Sequence, residues 1–202
     1  MSDPMNAWQR LRTGNELFYL PVRGPQETLH QGAPVAAVFR CADTDFASEM
    51  VFGQSWGSLV DVSTWGHVVD TGVLATLEYA VDVLEVPLIV VLGHHDCPAM
   101  RAALRAWQTA ELPEGASRAV IEQALSSIVR RGSVAGTADE IGSSHVVSVG
   151  MSLLERSPAL AERVDAGLCG IVCATTDDDG RVRPYATVGA LGEAGDSLLE
   201  CV

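Results

Sequence analysis

The stretch that decides the fold is Pro87-Leu-Ile-Val-Val-Leu-Gly-His-His-Asp-Cys-Pro98. Its β-branched apolar run, bounded by Pro87 and Gly93, predicts a strand buried on both faces, as in a parallel sheet covered by helices. His94 and Cys97 stand where that strand ends, and Pro98 suits the first turn of a helix starting just after them. Open α/β sheets place their ligands at this end of their strands. Taken alone, the stretch is equally consistent with a loop holding an incidental histidine and a small apolar cysteine. A second apolar run, Ala36-Ala-Val-Phe-Arg-Cys41, also ends in cysteine and is followed by Ala42-Asp43-Thr44-Asp45. If the two strands are parallel neighbours, Cys41, His94 and Cys97 converge at one sheet edge. Two thiolates, an imidazole and a fourth position for water or Asp43 make a tetrahedral zinc site. Soft sulfur with nitrogen favours zinc over magnesium or calcium.

Outward from this pair, the chain alternates strands and helices, which predicts an α/β fold. Residues 5 to 20 carry apolar side chains at helical spacing, interrupted by Gly14, and predict a helix or helix pair packed against something else, such as another subunit. Residues 21 to 33 read as a loop, and a short helix is expected to end near Phe52. Leu59 to Thr64 reads as a strand, and Asp70 as the N-cap of a helix from Thr71 to Leu84. Helices follow at 98–109, 117–131 and 137–164, then a buried strand at Leu168 to Thr175. Val182 to Val188 is expected to return as an antiparallel hairpin strand after the turn Asp177-Asp-Asp-Gly180. The expectation is one domain over 1–202: a helical arm at 1–33, an α/β core at 34–188 and a tail at 189–202.

The 202 residues are 48% hydrophobic, which argues against disorder. Thirteen basic residues against twenty-six acidic ones give 13 − 26 = −13. That balance argues against nucleic acid or an anionic membrane surface as partner, since both need a basic footprint. No apolar run is long enough for a membrane span. No basic-then-apolar leader opens the chain, and five cysteines are an odd number, so the expectation is a cytoplasmic chain with reduced thiols. Cys169 and Cys173 read as core.

Cys-x-Asp followed by Gly-His-x-x-Cys resembles the β-class carbonic anhydrases of bacterial type. The resemblance covers most of the chain. Gly14-Asn-Glu-Leu-Phe18 is similar to the family's Gly-Asn-x-x-Phe, and Gly66-His-Val-Val-Asp70, Leu77-Glu-Tyr-Ala80 and Val86 to His94 follow in order and spacing. It implies a four-stranded parallel sheet with an added antiparallel edge strand, helices on both faces, and N-terminal helices wrapping a dimer partner, with dimers often paired into tetramers. It implies Zn2+ held by Cys41, His94 and Cys97, with Asp43 either orienting the attacking hydroxide or closing onto the metal as a conditional fourth ligand. The implied reaction is reversible hydration of carbon dioxide to bicarbonate.

The departures bear on activity. The family writes Cys-x-Asp-Ser-Arg, and this chain puts Asp45 at the arginine. A bidentate guanidinium–carboxylate pair is strong and fixed in geometry. Replacing it by a second carboxylate is expected to raise one of the two pKa values and to leave Asp43 drawn to the metal, or capping a helix with backbone amides. A second family arginine is Ser63 here, a family alanine is Trp65, and a glycine is Pro98. Ser63, Trp65 and Gly66 are expected at the substrate pocket, together with Gln31, which is one residue out of register with the family's glutamine. Three readings follow: a carbonic anhydrase, active or slow, whose Asp43 is oriented by another donor; a zinc-bearing non-catalytic homologue; and a hydrolase of another small neutral molecule such as carbonyl sulfide or carbon disulfide. His67 reads as a loop residue, His95 as pointing away, His145 as a surface or interface residue, and Asp177 to Asp179 as a solvated turn rather than a calcium site.

Overall fold

The computed structural model describes residues 3–18, 32–130 and 136–191. Gln31, the loop at 21–31 and most of the tail lie outside the described residues. Five strands form one sheet: β1 (Ala36–Cys41), β2 (Leu59–Thr64), β3 (Leu88–His94), β4 (Gly170–Thr176) and β5 (Val182–Val188), in the order β2-β1-β3-β4-β5. The first four run parallel, and β5 pairs antiparallel with β4 through an irregularity at Cys173/Ala174. In β3 every residue but His94 is buried, because both sheet faces are covered.

The helices are α1 (Pro4–Phe18), α2 (Ser48–Val51), α3 (Thr71–Asp82), α4 (Pro98–Thr109), α5 (Ser117–Arg130), α6 (Ala138–Arg156) and α7 (Pro158–Asp165). One face of the sheet packs Phe39, Ile89, Val91 and Ile171 with Leu77 of α3, Leu153 of α6 and Leu160 of α7. The other packs Val38, Val90 and Val172 with Trp8 and Leu11 of α1. The Asp70 side chain caps α3 by accepting from Val73 N at 2.8 Å, as its position predicts. Thr137 and Glu140 form a reciprocal capping box at the start of α6.

Two expectations are corrected. The helical stretch 137–164 is two helices, because Pro158 cannot continue α6 and instead opens α7, with Ser157 capping it. The apolar face of α1 also needs no second subunit at Trp8 and Leu11, which are buried against this chain's own sheet. Gly14 makes that packing possible, since a Cβ there would lie 1.8 Å from Phe52 O. The neighbouring Asn15 is buried and fully used, donating to Val51 O (2.7 Å) and Gly180 O (3.0 Å) and accepting from Val182 N (3.1 Å). Cys169 and Cys173 are core, as read, and burial pushes the Cys169 thiol up to about 12.

Candidate metal centre

β1 and β3 are parallel neighbours, so Cys41 and His94 finish at the same edge of the sheet. Cys97 is the N-cap residue of α4, with Pro98 in its first turn. The chain turns after β1 and carries Asp43 back over the same edge. One ligand atom each from Cys41, Asp43, His94 and Cys97 lies within 4.8 Å of all the others. Cys41 Sγ and Cys97 Sγ are 3.8 Å apart. A tetrahedral zinc with Zn–S bonds of about 2.3 Å sets two sulfurs about 3.8 Å apart, so the spacing and the donor types both fit that ion. Asp43 Oδ1 is 2.7 Å from Cys41 Sγ and 3.0 Å from His94 Nε2. His94 Nδ1 donates to the His95 carbonyl at 3.0 Å, which turns Nε2 to the cluster.

The charges of the four groups are coupled. The Cys41 thiol is pushed up by its hydrogen bond with Cys97 and then by burial, with His94 opposing. Cys97 is drawn down by the same bond with Cys41, against burial, and backbone N–H groups of Met100 and Ala99 at the start of α4 assist. Burial alone would lower His94, but Cys41 and Asp43 beside it outweigh that and raise it. Burial alone would raise Asp43, yet its bonds with Cys41 and His94, the His94 charge and Trp65 hold its carboxyl below the ordinary range. The expected upward push from Asp45 is therefore not seen at Asp43. Asp45 is exposed, and Asp43 takes its partners elsewhere.

One of those partners, Trp65, opens a 3₁₀ turn at Trp65–His67, directly after β2. Trp65 Nε1 donates to Asp43 Oδ2 at 3.1 Å, and Gly66 N donates to Cys41 Sγ at 3.1 Å. Asp43 thus has a side-chain donor, not the helix-capping amides considered from sequence. Gly66 has φ 65°, and a Cβ there would meet Val120 Cγ1 at 2.4 Å, so glycine is required both by conformation and by space. Its carbonyl accepts from His145 Nε2 at 2.9 Å, and His145 Nδ1 pairs with Ser127 Oγ at 2.9 Å. His67 Nε2 donates to Leu92 O at 2.9 Å.

His145 is thus not a surface residue: it is 1% exposed and braces the turn that holds Cys41. The signal was present, since Ile141, His145, Val149 and Leu153 repeat every four residues along α6 and all are buried. His67, read as a loop residue, lies on the short 3₁₀ turn and is buried there. His95 does point away, pairing with Asp139 at 2.8 Å. Asp177 to Asp179 form an acidic turn in which Asp177 already accepts from Arg181 N (2.8 Å) and Arg183 Nη2 (3.2 Å).

A cavity of about 390 Å³ opens beside the centre, lined by Asp43, Asp45, Phe46, His94, Pro98, Arg101, Asp177 and Asp178 among others. Trp65 and Gly66 are not in its lining but on the ligand side, against Asp43 and Cys41, and Ser63 is exposed on β2.

A family model described as carbonic anhydrase matches residues 36–182. Carbonic anhydrase 2 of Mycobacterium tuberculosis is 40% identical over 203 residues, covering 95% of this chain and 98% of that one. The carbonic anhydrase of Mycolicibacterium smegmatis is similar to the same extent, 40% over 95% of this chain and 98% of its own. Among solved structures, the Coccomyxa β-carbonic anhydrase in complex with acetazolamide superposes with a TM-score of 0.67 at 20% identity, covering 88% of this chain and 81% of that one. One of two tetrameric β-carbonic anhydrases from Sordaria macrospora gives 0.66 at 19% identity, over 77% and 82%. At those identities the structural likeness speaks for the fold.

Proposed function

The chain belongs to the β-carbonic anhydrase family, and from that premise we propose that it is a zinc-dependent enzyme that reversibly hydrates carbon dioxide to bicarbonate. The observation that carries the reading is the convergence of Cys41, Asp43, His94 and Cys97 at one sheet edge with zinc-compatible spacing. Cys41, His94 and Cys97 would hold the ion, and Asp43 is near enough to be a fourth ligand or to accept a hydrogen bond from the attacking water. When bound, zinc supplies hydroxide near neutral pH by acidifying water. Phe46 and Pro98 give the cavity apolar surface for a neutral substrate, while Asp45, Asp177 and Asp178 set negative charge where an anionic product leaves. A homodimer or tetramer is part of the same reading, supported by the tetrameric neighbours.

Neither alternative is favoured. The hydrolase of carbonyl sulfide or carbon disulfide draws on Trp65 reshaping the pocket, and Trp65 is turned to Asp43 instead. The non-catalytic homologue draws on the lost arginine, against relatives at 40% identity named as carbonic anhydrases.

The test is carbon dioxide hydration by stopped flow on protein whose zinc content has been measured. About one zinc per chain is expected, with hydration well above the buffer rate, and Cys41→Ser or Cys97→Ser should lose the metal. Full zinc in either variant would sink the ligand assignment, and a zinc-loaded wild type no faster than buffer would sink the enzymatic reading.

A further inference from the structure

The carboxylate of Asp43 divides its two oxygens between two jobs. Oδ1 faces the cluster, 2.7 Å from Cys41 Sγ and 3.0 Å from His94 Nε2, while Oδ2 accepts from Trp65 Nε1 at 3.1 Å. An indole N–H can only donate, so the direction of that bond is not open to reassignment. Trp65 is itself fixed: it opens the 3₁₀ turn immediately after β2, and its ring packs on the cluster of Cys41, Cys97, Met100 and Val120. The register pairs Cys41 with Thr64, so the residue after Thr64 emerges from the sheet beside the residues after Cys41. Among the described residues, Arg40 bonds Asp61 at 2.8 Å, and Arg101, which lines the cavity, pairs with Asp96. Asp45, where the family's motif has arginine, is exposed and has no proton to offer as a carboxylate.

We propose that Trp65 is the positioning residue for Asp43, its indole N–H holding Oδ2 so that Oδ1 faces the metal position. A guanidinium would bind both oxygens and add positive charge. Trp65 binds one oxygen and adds none, so the other stays directed at the metal position and would help to hold the ion there. The inference rests on the zinc reading above, and its test separates the two.

Zinc affinity is measured by competition with a chromophoric chelator for wild type, Trp65→Phe, Asp43→Asn and the double variant. Trp65→Phe keeps a ring and removes only the N–H. Groups that orient metal ligands typically contribute 10–100-fold to affinity, and a weakening of about tenfold or more is expected. In the Asp43→Asn background the same change should have little further effect, because the bond it removes no longer ends on a carboxylate. Equal affinity of wild type and Trp65→Phe overturns the proposal, as does an undiminished effect of Trp65→Phe in the Asp43→Asn background, which would mark a packing role. A wild type that binds no zinc overturns the functional reading instead. A variant that fails to fold is bypassed by the indole ¹⁵N–¹H resonances of otherwise intact protein. Asp43→Asn should shift the signal of Trp65 well beyond those of the other tryptophans, and an unmoved signal overturns the proposal.

Discussion

Asp45 stands exposed at the rim of the cavity, and Asp43 depends on a neutral donor for its orientation. This sets the direction of a gain-of-function substitution. Asp45→Arg would place a guanidinium within the same short turn as Asp43 and remove a like charge, drawing the carboxylate toward the rim and away from the cluster. Carbon dioxide hydration should then rise at equal zinc content, by at most about 10²–10³-fold, the usual worth of one well-placed electrostatic group. The gain is expected toward the lower end, because Trp65 already supplies one bond, and Ser63 and Pro98 also depart from the family pattern. The measurement is the hydration rate against pH for both proteins. A wild type that the substitution slows would show that Trp65 alone sets the productive orientation. Equal, negligible rates would return the argument to a non-catalytic protein.

The 3₁₀ turn at Trp65–His67 shows how one short element can link the metal centre to the core. Its three residues reach Asp43, Cys41 and β3, and His145 of α6 braces it from below. Holding two uncharged histidines in that space has a pH signature. Burial first, and then the nearby His145, depress His67 from 6.5 to about 3, and burial lowers His145 as well. A histidine depressed in the folded state is protonated first in the unfolded chain. Its stabilising contribution is therefore fully present above 6.5 and is lost as pH falls from there toward about 3. His94 runs the opposite way, since its raised value favours the folded state at low pH, so the clean comparison is between metal-free wild type and metal-free His67→Gln. Below 6.5 the wild-type unfolding free energy should fall more steeply than the variant's by about 1.4 kcal/mol per pH unit. Parallel curves from denaturant titrations would contradict this account of His67.

Across the whole molecule, what could be read from sequence was whatever depends on neighbours along the chain. The ends of β2 and α4 fall where Thr64 and Pro98 predict them, and Cys41 and His94 stand at the ends of strands marked by the apolar runs 36–41 and 87–93. What escaped was set by contacts between distant segments: Asn15 bonding Gly180 across 165 positions, His145 meeting Gly66 across 79, Trp65 meeting Asp43 across 22. The same limit applies to assembly, which α1 does not decide, since Trp8 and Leu11 are satisfied within the chain. What argues for association is the apolar surface left over: Trp56, Tyr79, Val83, Val129 and Tyr185 are all at least 44% exposed, and Tyr185 lies on the edge strand β5. Among the described residues β5 has no neighbour on its outer edge, and an edge strand with exposed aromatic side chains can pair with a second copy. Opposing this is a charge of −13 on every chain, which makes two copies repel. That repulsion acts over a screening length of about 30 Å at 0.01 M salt and only about 8 Å at 0.15 M. Light scattering at micromolar protein should therefore give a mass of at least two chains at the higher salt, with any dissociation confined to the lower. A stable monomer at both would refute the oligomer, and dissociation on adding salt would mean that charge pairing, not apolar surface, holds the copies together.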